Sequence, residues 1–215
     1  MNKSNIILVG PPGAGKGTQA ILLRDKMDLN YISTGDLFRF NLNNSTTLGK
    51  KAQQYMSTGE LVPDSITINM LAEELKSIGI DKGFILDGFP RTLSQAESLD
   101  TFMEDLSIEL DTVLFFDVPN DELVLRLSSR YTCRDCQAPN MFNSDKTSAI
   151  PTCSQCNGEL YQREDDTPSA IERRLEVYDQ ETKPIINFYE TKGILHTIDS
   201  LGKVEEVFSK VMEVV

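Results

Sequence analysis

The chain has 215 residues, of which 40% are hydrophobic and 25% are charged, and its formal net charge is −12. This length allows one large domain, with or without inserted subdomains, to bury a substantial core. The acidic balance argues against a nucleic-acid partner, because binding to a phosphate backbone needs a basic surface. The apolar run before Gly10 is too short for a signal peptide, and no run reaches the roughly 18 apolar residues of a membrane span. We therefore expect a soluble intracellular protein that does not enter a membrane.

Apolar runs alternate with helical patterns along the chain. The predicted strands are Ile6–Val9, a short piece near Tyr31–Ile32, Gly83–Asp87, Val113–Val118 and Ile194–Ile198. The predicted helices run from Asp64–Ser65 to Gly79, from Asp121 to Arg130, from Thr167–Pro168 to a break or kink at Pro184, and from Val204 to Met212. This alternation predicts a doubly wound α/β fold with a five-stranded parallel sheet, whose ligand binds at the carboxyl ends of the strands.

A glycine-rich loop follows the first predicted strand. Residues 10–18 read Gly-Pro-Pro-Gly-Ala-Gly-Lys-Gly-Thr and approximate the phosphate-binding pattern G-x-x-x-x-G-K-[ST], with Gly17 at the hydroxyl position. Glycines let successive N–H groups point at one anion, and the dipole of the next helix adds positive charge there. Lys16 is placed to reach the outer phosphates, and Thr18 offers a hydroxyl near a bound Mg²⁺. The alternative is an ordinary turn before a helix, which the lysine and the preceding strand disfavour, so we predict a nucleotide-binding protein.

Two stretches interrupt the alternation of strands and helices. The first runs from Ser33 to about Val62 and is predicted to be mostly helical, and the second runs from about Ser129 to Asp166 and contains all four cysteines. Both are predicted to be subdomains inserted into the core. Movable flaps of this kind exclude water during phosphoryl transfer.

The cysteines form two close pairs, Cys133-x₂-Cys136 and Cys153-x₂-Cys156, separated by sixteen residues. This arrangement is typical of a four-thiolate tetrahedral site of the zinc-ribbon type. The alternatives are two disulfides, which fit poorly with a chain that lacks a secretion signal, or four unrelated thiols, which rarely pair so regularly. Zn²⁺ is expected first, with iron as the remaining alternative. Four protein ligands leave no open position, so the metal is predicted to be structural.

Phosphoryl transfer depends on positioning and on neutralising the charge of the moving group, which makes arginines candidates for the site. Arg126 and Arg130 are four residues apart and are predicted to share one helix face that points toward the cysteines. The other candidates are Arg39, Arg91, Arg163 and Arg174. The alternative is that these are surface arginines paired with the many carboxylates. The one histidine, His196, lies in a predicted strand and is expected to be structural.

Taken together, these motifs resemble bacterial adenylate kinases of the long, zinc-containing lid type, in the same order and over essentially the whole chain. The motifs are the glycine-rich loop, Ser33–Arg39, Gly59–Asp64, Asp87–Arg91 with Gln95, and the cysteine-bearing stretch. The resemblance implies the P-loop nucleoside monophosphate kinase fold, the reaction MgATP + AMP ⇌ 2 ADP, and a cytoplasmic monomer. It also implies a core of residues 1–32, 63–128 and 167–215, an AMP-binding insertion of residues 33–62, and a lid of residues 129–166.

The resemblance further implies roles for individual residues. The ATP site falls on Gly13, Ala14, Gly15, Lys16, Gly17, Thr18, Arg126, Arg130 and Gly202. The AMP site falls on Thr34, Arg39, Glu60, Leu61, Val62, Gly88, Phe89, Pro90, Arg91, Gln95, Arg163 and Arg174. The catalytic set is Lys16, Arg91, Arg130, Arg163 and Arg174, with Asp87 holding Mg²⁺ through water. The amide of Gln95 both donates and accepts, and so matches the Watson–Crick edge of adenine.

The chain departs from the family pattern in two places, and other functions compete with this one. Tyr131 stands where many relatives have a second arginine, and Gln137–Phe142 stands where the zinc-type lid usually has a longer hairpin. A UMP/CMP kinase typically has a short lid without cysteines and lacks the glutamine at position 95. A GTP-binding switch protein should carry Asn-Lys-x-Asp, which is absent here. A non-catalytic zinc-ribbon binder of nucleic acid should be basic.

Overall fold

The computed structural model describes residues 4–79, 81–142 and 152–215. Its strands are β1 (Ser4–Val9), β2 (Asn30–Ser33), β3 (Gly83–Asp87), β4 (Thr112–Asp117), β5 (Arg130–Cys133), β6 (Pro139–Met141), β7 (Leu160–Tyr161) and β8 (Leu195–Asp199). Its α-helices are α1 (Lys16–Met27), α2 (Thr34–Asn43), α3 (Thr47–Met56), α4 (Asp64–Ile78), α5 (Leu93–Asp105), α6 (Asn120–Ser128), α7 (Pro168–Val177), α8 (Pro184–Thr191) and α9 (Val204–Met212). Residues 1–3 and 80 of the expected core and residues 143–151 of the expected lid lie outside the described residues.

Five parallel strands form the central sheet, in the order β2-β3-β1-β4-β8, which confirms the predicted fold class. Because successive side chains of a strand point to opposite faces, β1 contributes to two hydrophobic layers. Ile6 and Leu8 pack in the layer that contains residues of α1 and α9. Ile7 and Val9 pack in the layer that contains residues of α4, α5 and α8. Helices therefore cover both faces of the sheet, as a parallel sheet requires.

The strand register brings the loops that carry the motifs to one edge of the sheet. Leu8 of β1 and Ser33 of β2 both pair with Asp87 of β3. Since the strands are parallel, the glycine-rich loop, the start of α2 and the loop after β3 all leave the sheet at its carboxyl edge. This is the edge where ligands bind in open α/β sheets.

Residues 33–62, which we call the helical insertion, contain α2 and α3 and confirm the prediction that this stretch is mostly helical. Ser33 begins the insertion as the N-cap of α2, and its side chain accepts a hydrogen bond from the Asp36 backbone N–H. The insertion has a small hydrophobic cluster of its own, formed by Phe38, Ala52 and Val62, and it packs against Met70 of α4.

Residues 129–166, which we call the cysteine segment, contain an antiparallel sheet in the order β6-β5-β7. The prediction that Arg126 and Arg130 lie on one helix is wrong, because α6 ends at Ser128 and Arg130 is the first residue of β5. The hydroxyl of Ser129 donates to the Leu125 carbonyl at 2.7 Å at the helix end. Arg130 then pairs with Met141 across the small sheet, so strand pairing overrides the helical pattern of the sequence.

The chain after the cysteine segment follows the predicted pattern of helices. Pro168 is the first residue of α7, and Pro184 begins α8 after a π-helical turn at Tyr178–Thr182, which confirms the predicted break or kink. Thr167 is the N-cap of α7, but its side chain makes no capping hydrogen bond. Among the described residues, the helices are too short or too polar for any of them to traverse a lipid bilayer.

Candidate nucleotide cleft and cysteine cluster

A cavity of about 580 Å³ opens at the carboxyl edge of the sheet. Residues of the glycine-rich loop, the helical insertion and the cysteine segment all line it. Its lining includes all six arginines that the sequence singled out: Arg39, Arg91, Arg126, Arg130, Arg163 and Arg174. A volume of this size is typical of sites for small molecules and cofactors.

The glycines of the loop are required by its backbone. Gly10, Gly13 and Gly15 have φ angles of 149°, 87° and 90°, which side chains rarely permit. A Cβ on Gly10 would also lie 2.7 Å from the carbonyl oxygen of Phe116 on the neighbouring strand β4. Gly15 is the N-cap of α1 and has no side chain with which to cap the first N–H groups of this helix. The helix start is therefore free to bind an anion.

The Lys16 side chain folds back over the loop. Its Nζ donates to the carbonyl oxygens of Gly10 at 2.7 Å and Pro11 at 2.8 Å. Burial lowers the pKa of Lys16 to about 8, although the nearby Asp87 carboxylate raises it. The two carbonyls hold the amine at the wall of the cavity, where a phosphate oxygen would meet it.

Asp87 ends β3 beside this lysine. Burial raises the pKa of the Asp87 carboxyl, and the charge of Lys16 opposes that shift. The phenol of Tyr31 donates to Asp87 Oδ2 at 3.2 Å. Oxygen ligands of this kind suit Mg²⁺, and the hydroxyl-bearing Thr18 also lines the cavity. The sequence analysis did not assign a role to Tyr31. The one feature of the sequence that could have indicated this role is its position two residues before the Ser33–Arg39 motif.

A smaller cavity of about 80 Å³ lies between the helical insertion and the loop after β3. Thr34 Oγ1 and Arg91 Nε both donate to the carbonyl oxygen of Gly88, each at 2.8 Å, and so join the two elements. The expected AMP residues that line this cavity are Thr34, Arg39, Glu60, Leu61, Val62, Gly88, Arg91, Gln95 and Arg174. Pro90 and Arg163 line the larger cavity instead, and the Phe89 side chain is buried in the hydrophobic core.

The six arginines place positively charged groups along the larger cavity. Burial lowers the pKa of Arg91 to about 10, with repulsion from Arg174 adding to the shift. Burial likewise lowers the pKa of Arg163 to about 10, helped by Arg39 and Arg130. Arg91 and Arg163 therefore stay protonated at neutral pH. A concentration of guanidinium groups in a chain of net charge −12 is suited to bind phosphates, because each can donate two parallel hydrogen bonds.

Asp166 holds two of these arginines in place. It is fully buried and accepts from Arg130 Nε at 2.8 Å and from Arg174 Nη1 at 2.9 Å. For Arg130 and Arg174, the alternative interpretation is therefore right about a carboxylate partner and wrong about the surface, because both arginines line the larger cavity. The sequence analysis did not assign a role to Asp166. Two acidic residues, Asp165 and Asp166, follow Arg163 closely and could have indicated carboxylate partners for the arginines.

Arg126 and Gly202 both line the larger cavity. Arg126 Nε donates to Glu122 at 2.7 Å, and its Nη2 donates to the Ser200 carbonyl at 3.0 Å, two residues before Gly202. Pro139 and Met141 of the cysteine segment line the same cavity. His196 lies in β8 and lines neither of the two cavities described here.

The four cysteines converge on one point at the far end of the cysteine segment. All four Sγ atoms lie within 4.8 Å of one another, and the thiols are free. Cys133 to Cys156 is 3.4 Å, Cys136 to Cys153 is 3.6 Å, and Cys136 to Cys156 is 3.4 Å. Tetrahedral zinc with bonds of about 2.3 Å sets its sulfurs roughly 3.8 Å apart, so the cluster fits zinc.

Asn140 ties the two cysteine turns together, and sequence reasoning did not assign it this role. Its Oδ1 accepts from the backbone N–H of Ser154 at 3.0 Å, and its Nδ2 faces Cys153 Sγ at 3.6 Å and donates to the Ala138 carbonyl at 3.0 Å. Groups next to metal ligands orient those ligands. Asn140 therefore contributes to the preformed geometry of the cluster.

Comparison with known proteins identifies relatives along nearly the whole chain. The family model that matches is described as adenylate kinase, and it covers residues 8–194. A protein of Streptomyces griseus named adenylate kinase is 46% identical over 211 residues, which are 97% of this chain and 95% of that protein. Similar proteins of the same name occur in Syntrophobacter fumaroxidans, at 47% identity over 96% of this chain and 97% of that one, and in Methanothrix thermoacetophila, at 44% identity over 98% and 97%.

Proposed function

The chain belongs to the adenylate kinase family, and on that premise we propose that it is the enzyme that transfers the terminal phosphoryl group of MgATP reversibly to AMP, giving two ADP. The observation that carries the proposal is the larger cavity, in which the glycine-rich loop faces six arginines. Such an arrangement grips two sets of phosphates from opposite sides. The AMP phosphate oxygen can then attack the terminal phosphorus of ATP in line.

The ATP phosphates are proposed to bind the loop from Gly13 to Thr18, with Lys16 on the outer phosphates. Arg126 and the backbone at Gly202 flank the adenine of ATP. Arg39 and Arg91 clamp the AMP phosphate, and Gln95 contacts its base. Arg130, Arg163 and Arg174 neutralise charge on the group in transfer, because positioned cations stabilise the transition state of this reaction.

Two metals belong to the proposal, and each has residues that fit it. Mg²⁺ accompanies ATP, with Asp87 as the carboxylate that holds it through water and Tyr31 orienting that carboxylate. Zn²⁺ is proposed to bind Cys133, Cys136, Cys153 and Cys156 as a structural metal. It would fasten a segment whose own hydrophobic cluster contains only a few residues.

The helical insertion is proposed to bind AMP and the cysteine segment to act as a lid over ATP. Both carry residues that line the cavities, and each has a small hydrophobic cluster separate from the two layers of the core. A monomeric state and a cytoplasmic location stay predictions from the family resemblance.

A coupled assay tests the function, with ATP and each of AMP, UMP, CMP and GMP. AMP is expected to be the preferred acceptor. Lys16→Ala is expected to lower kcat by at least about a hundredfold, the usual loss when one group that stabilises transition-state charge is removed. Lys26→Ala is the matched control, because Lys26 lies on the same helix with its side chain exposed. Full activity of folded Lys16→Ala, or a clear preference for UMP, would contradict the proposal.

A further inference from the structure

The amide of Gln95 is held at both of its ends inside the smaller cavity. The side chain is only 2% exposed and lines that cavity. Its Oε1 accepts from the backbone N–H of Arg91 at 2.8 Å, and its Nε2 donates to Asp64 Oδ1 at 2.7 Å.

These two partners permit only one orientation of the amide. A backbone N–H can only donate, and an ionised carboxylate can only accept. If the amide turned by half a revolution, its NH₂ would face the Arg91 N–H and its oxygen would face the Asp64 carboxylate. Two hydrogen bonds would be replaced by two contacts between like partners, in a site where unpaired polar groups are costly.

Asp64 is itself fixed in position. It is the first residue of α4, and its second oxygen, Oδ2, accepts from Thr92 Oγ1 at 2.9 Å. The Thr92 hydroxyl oxygen also accepts from the Gln95 backbone N–H as the N-cap of α5. The carboxylate therefore links the starts of two helices, and neither oxygen is available to turn toward another partner.

The amide retains one N–H and one lone pair for a ligand, because each end can make a second hydrogen bond. Adenine offers an amino group at C6 and an acceptor at N1, which pair with an amide oxygen and an amide N–H in this order. Hypoxanthine and guanine offer the reverse, an acceptor at C6 and a donor at N1. A 6-oxopurine would therefore need the turned amide that Asp64 and the Arg91 N–H exclude.

We propose that Asp64 is a positioning residue that determines base specificity: by locking the Gln95 amide, it makes the smaller cavity accept 6-aminopurine and reject 6-oxopurine nucleoside monophosphates. The inference rests on the proposed function, since it places AMP in this cavity. It assigns to Asp64 a role in selection of the substrate, distinct from binding the substrate itself.

The variant Asp64→Asn tests this with little change of shape. An asparagine amide can either accept from or donate to Gln95, so the turned amide regains a partner and only the Arg91 N–H still opposes it. We expect the ratio of kcat/KM for AMP to that for IMP to fall about tenfold, mainly through KM. Glu73→Gln is the matched control, because it removes an exposed carboxylate from the same helix, and it is expected to keep the ratio.

The ratio of kcat/KM for AMP to that for IMP separates a change of base selection from a loss of structure, because damage to the fold lowers activity with both acceptors alike. Asp64→Ala, which removes the acceptor without adding a donor, is expected to lower the ratio as well. An unchanged ratio in either folded variant overturns the proposal. So does binding of IMP to the unaltered protein with the affinity of AMP, a measurement that needs no variant. If the unaltered protein fails to phosphorylate AMP at all, the proposed function itself is wrong.

Discussion

Lys16 is a residue of the larger cavity whose acid–base chemistry is altered by its surroundings. An exposed lysine titrates near 10.5, whereas burial lowers the pKa of this amine to about 8. Arg91 and Arg163 keep their charge to higher pH, since their lowered pKa values are about 10. Between pH 7 and pH 9, Lys16 is therefore expected to lose its charge while Arg91 and Arg163 keep theirs.

The first prediction concerns this titration. As the pH rises through about 8, Lys16 of the free enzyme loses its proton, and kcat/KM for ATP is expected to fall with an apparent pKa near 8. The loss of this proton is not expected to destabilise the folded protein. Because the unfolded chain keeps the lysine proton up to a pKa of 10.5, the unfolded state binds more protons above pH 8, and this group makes stability rise with pH.

The measurement is kcat/KM for ATP against pH, with the melting temperature followed in parallel. Lys16→Arg serves as the control, because its guanidinium stays charged throughout, so its residual activity should vary less over the same range. A flat profile for the unaltered protein from about pH 7 to 9 would show that Lys16 does not titrate there.

At the junction between the cysteine segment and α7, one buried carboxylate organises two elements. Asp166 precedes α7 by two residues and binds Arg130 of β5 and Arg174 of α7. Asp165 adds a second carboxylate, 3.1 Å from Arg174 Nη1. The strand that opens the segment and the helix that follows it are thus joined by ion pairs at the cleft.

The second prediction is that Asp166→Ala destabilises the protein by about 3 kcal/mol, because it leaves two partly buried guanidinium groups facing each other without their shared carboxylate. Catalytic activity is expected to fall as well, since both arginines lose their orientation. Urea unfolding and kcat measure the two effects. Glu164→Ala, at an exposed carboxylate two residues away, is expected to stay within about 0.5 kcal/mol of the unaltered protein. Equal stability of the two variants would refute the role of Asp166.

The third prediction concerns the metal of the cysteine segment. Elemental analysis is expected to find one zinc per chain. A metal that binds only the folded form stabilises it, so a chelator should lower the melting temperature more than it lowers turnover at moderate temperature. Absence of metal together with two disulfides among the four cysteines would contradict the assignment.

In the molecule as a whole, the larger cavity is built from three parts that are separate in sequence. The core contributes the glycine-rich loop, the helical insertion contributes Arg39, and the cysteine segment contributes Arg130 and Arg163. The cysteine segment contains few apolar residues, so its docking onto the core without nucleotides should be weak.

The fourth prediction is that the cysteine segment is mainly open in the free protein and closes when a bisubstrate mimic spans both nucleotide sites, because only the closed form brings Arg130 and Arg163 onto phosphate. Labels attached through unnatural residues at Glu159 of the segment and Glu97 of α5 leave the cysteines untouched and report this distance. It should shorten with the mimic, whereas a control pair at Glu97 and Glu205 of α9 should not change. An identical distribution with and without the mimic would disprove the closure.

Much of the fold could be predicted because its signals are local. Apolar runs marked the central strands, proline placed the breaks around α7 and α8, and glycine and lysine spacing marked the loop that ends in Lys16. The two Cys-x₂-Cys pairs likewise predicted a single cluster, since each pair lies on a tight turn that lets both of its sulfurs face one point. The six arginines that line the larger cavity were identified as a set, because residue type alone makes arginine a candidate for binding phosphate.

The local sequence pattern gave a wrong prediction where pairing with a strand farther along the chain determines the secondary structure. The helical pattern of α6 extends in the sequence to Arg130, but pairing with Met141 places Arg130 in β5. The same limit explains the residues that were missed. Tyr31 bonds Asp87 from 56 positions away, and Asp166 bonds Arg130 from 36 positions away.

The fold class, the glycine-rich loop and the cysteine cluster can be predicted from the amino-acid sequence, because each depends on residue types at short, fixed spacings. Which donor meets which acceptor cannot be predicted in this way, because it depends on how the helices and strands pack. The hydrogen bond from the Gln95 amide to Asp64 joins residues 31 positions apart, and it forms because α4 and α5 pack side by side. A buried hydrogen bond depends on position and direction in space, and those are set by the packing of whole elements rather than by any stretch of the chain alone.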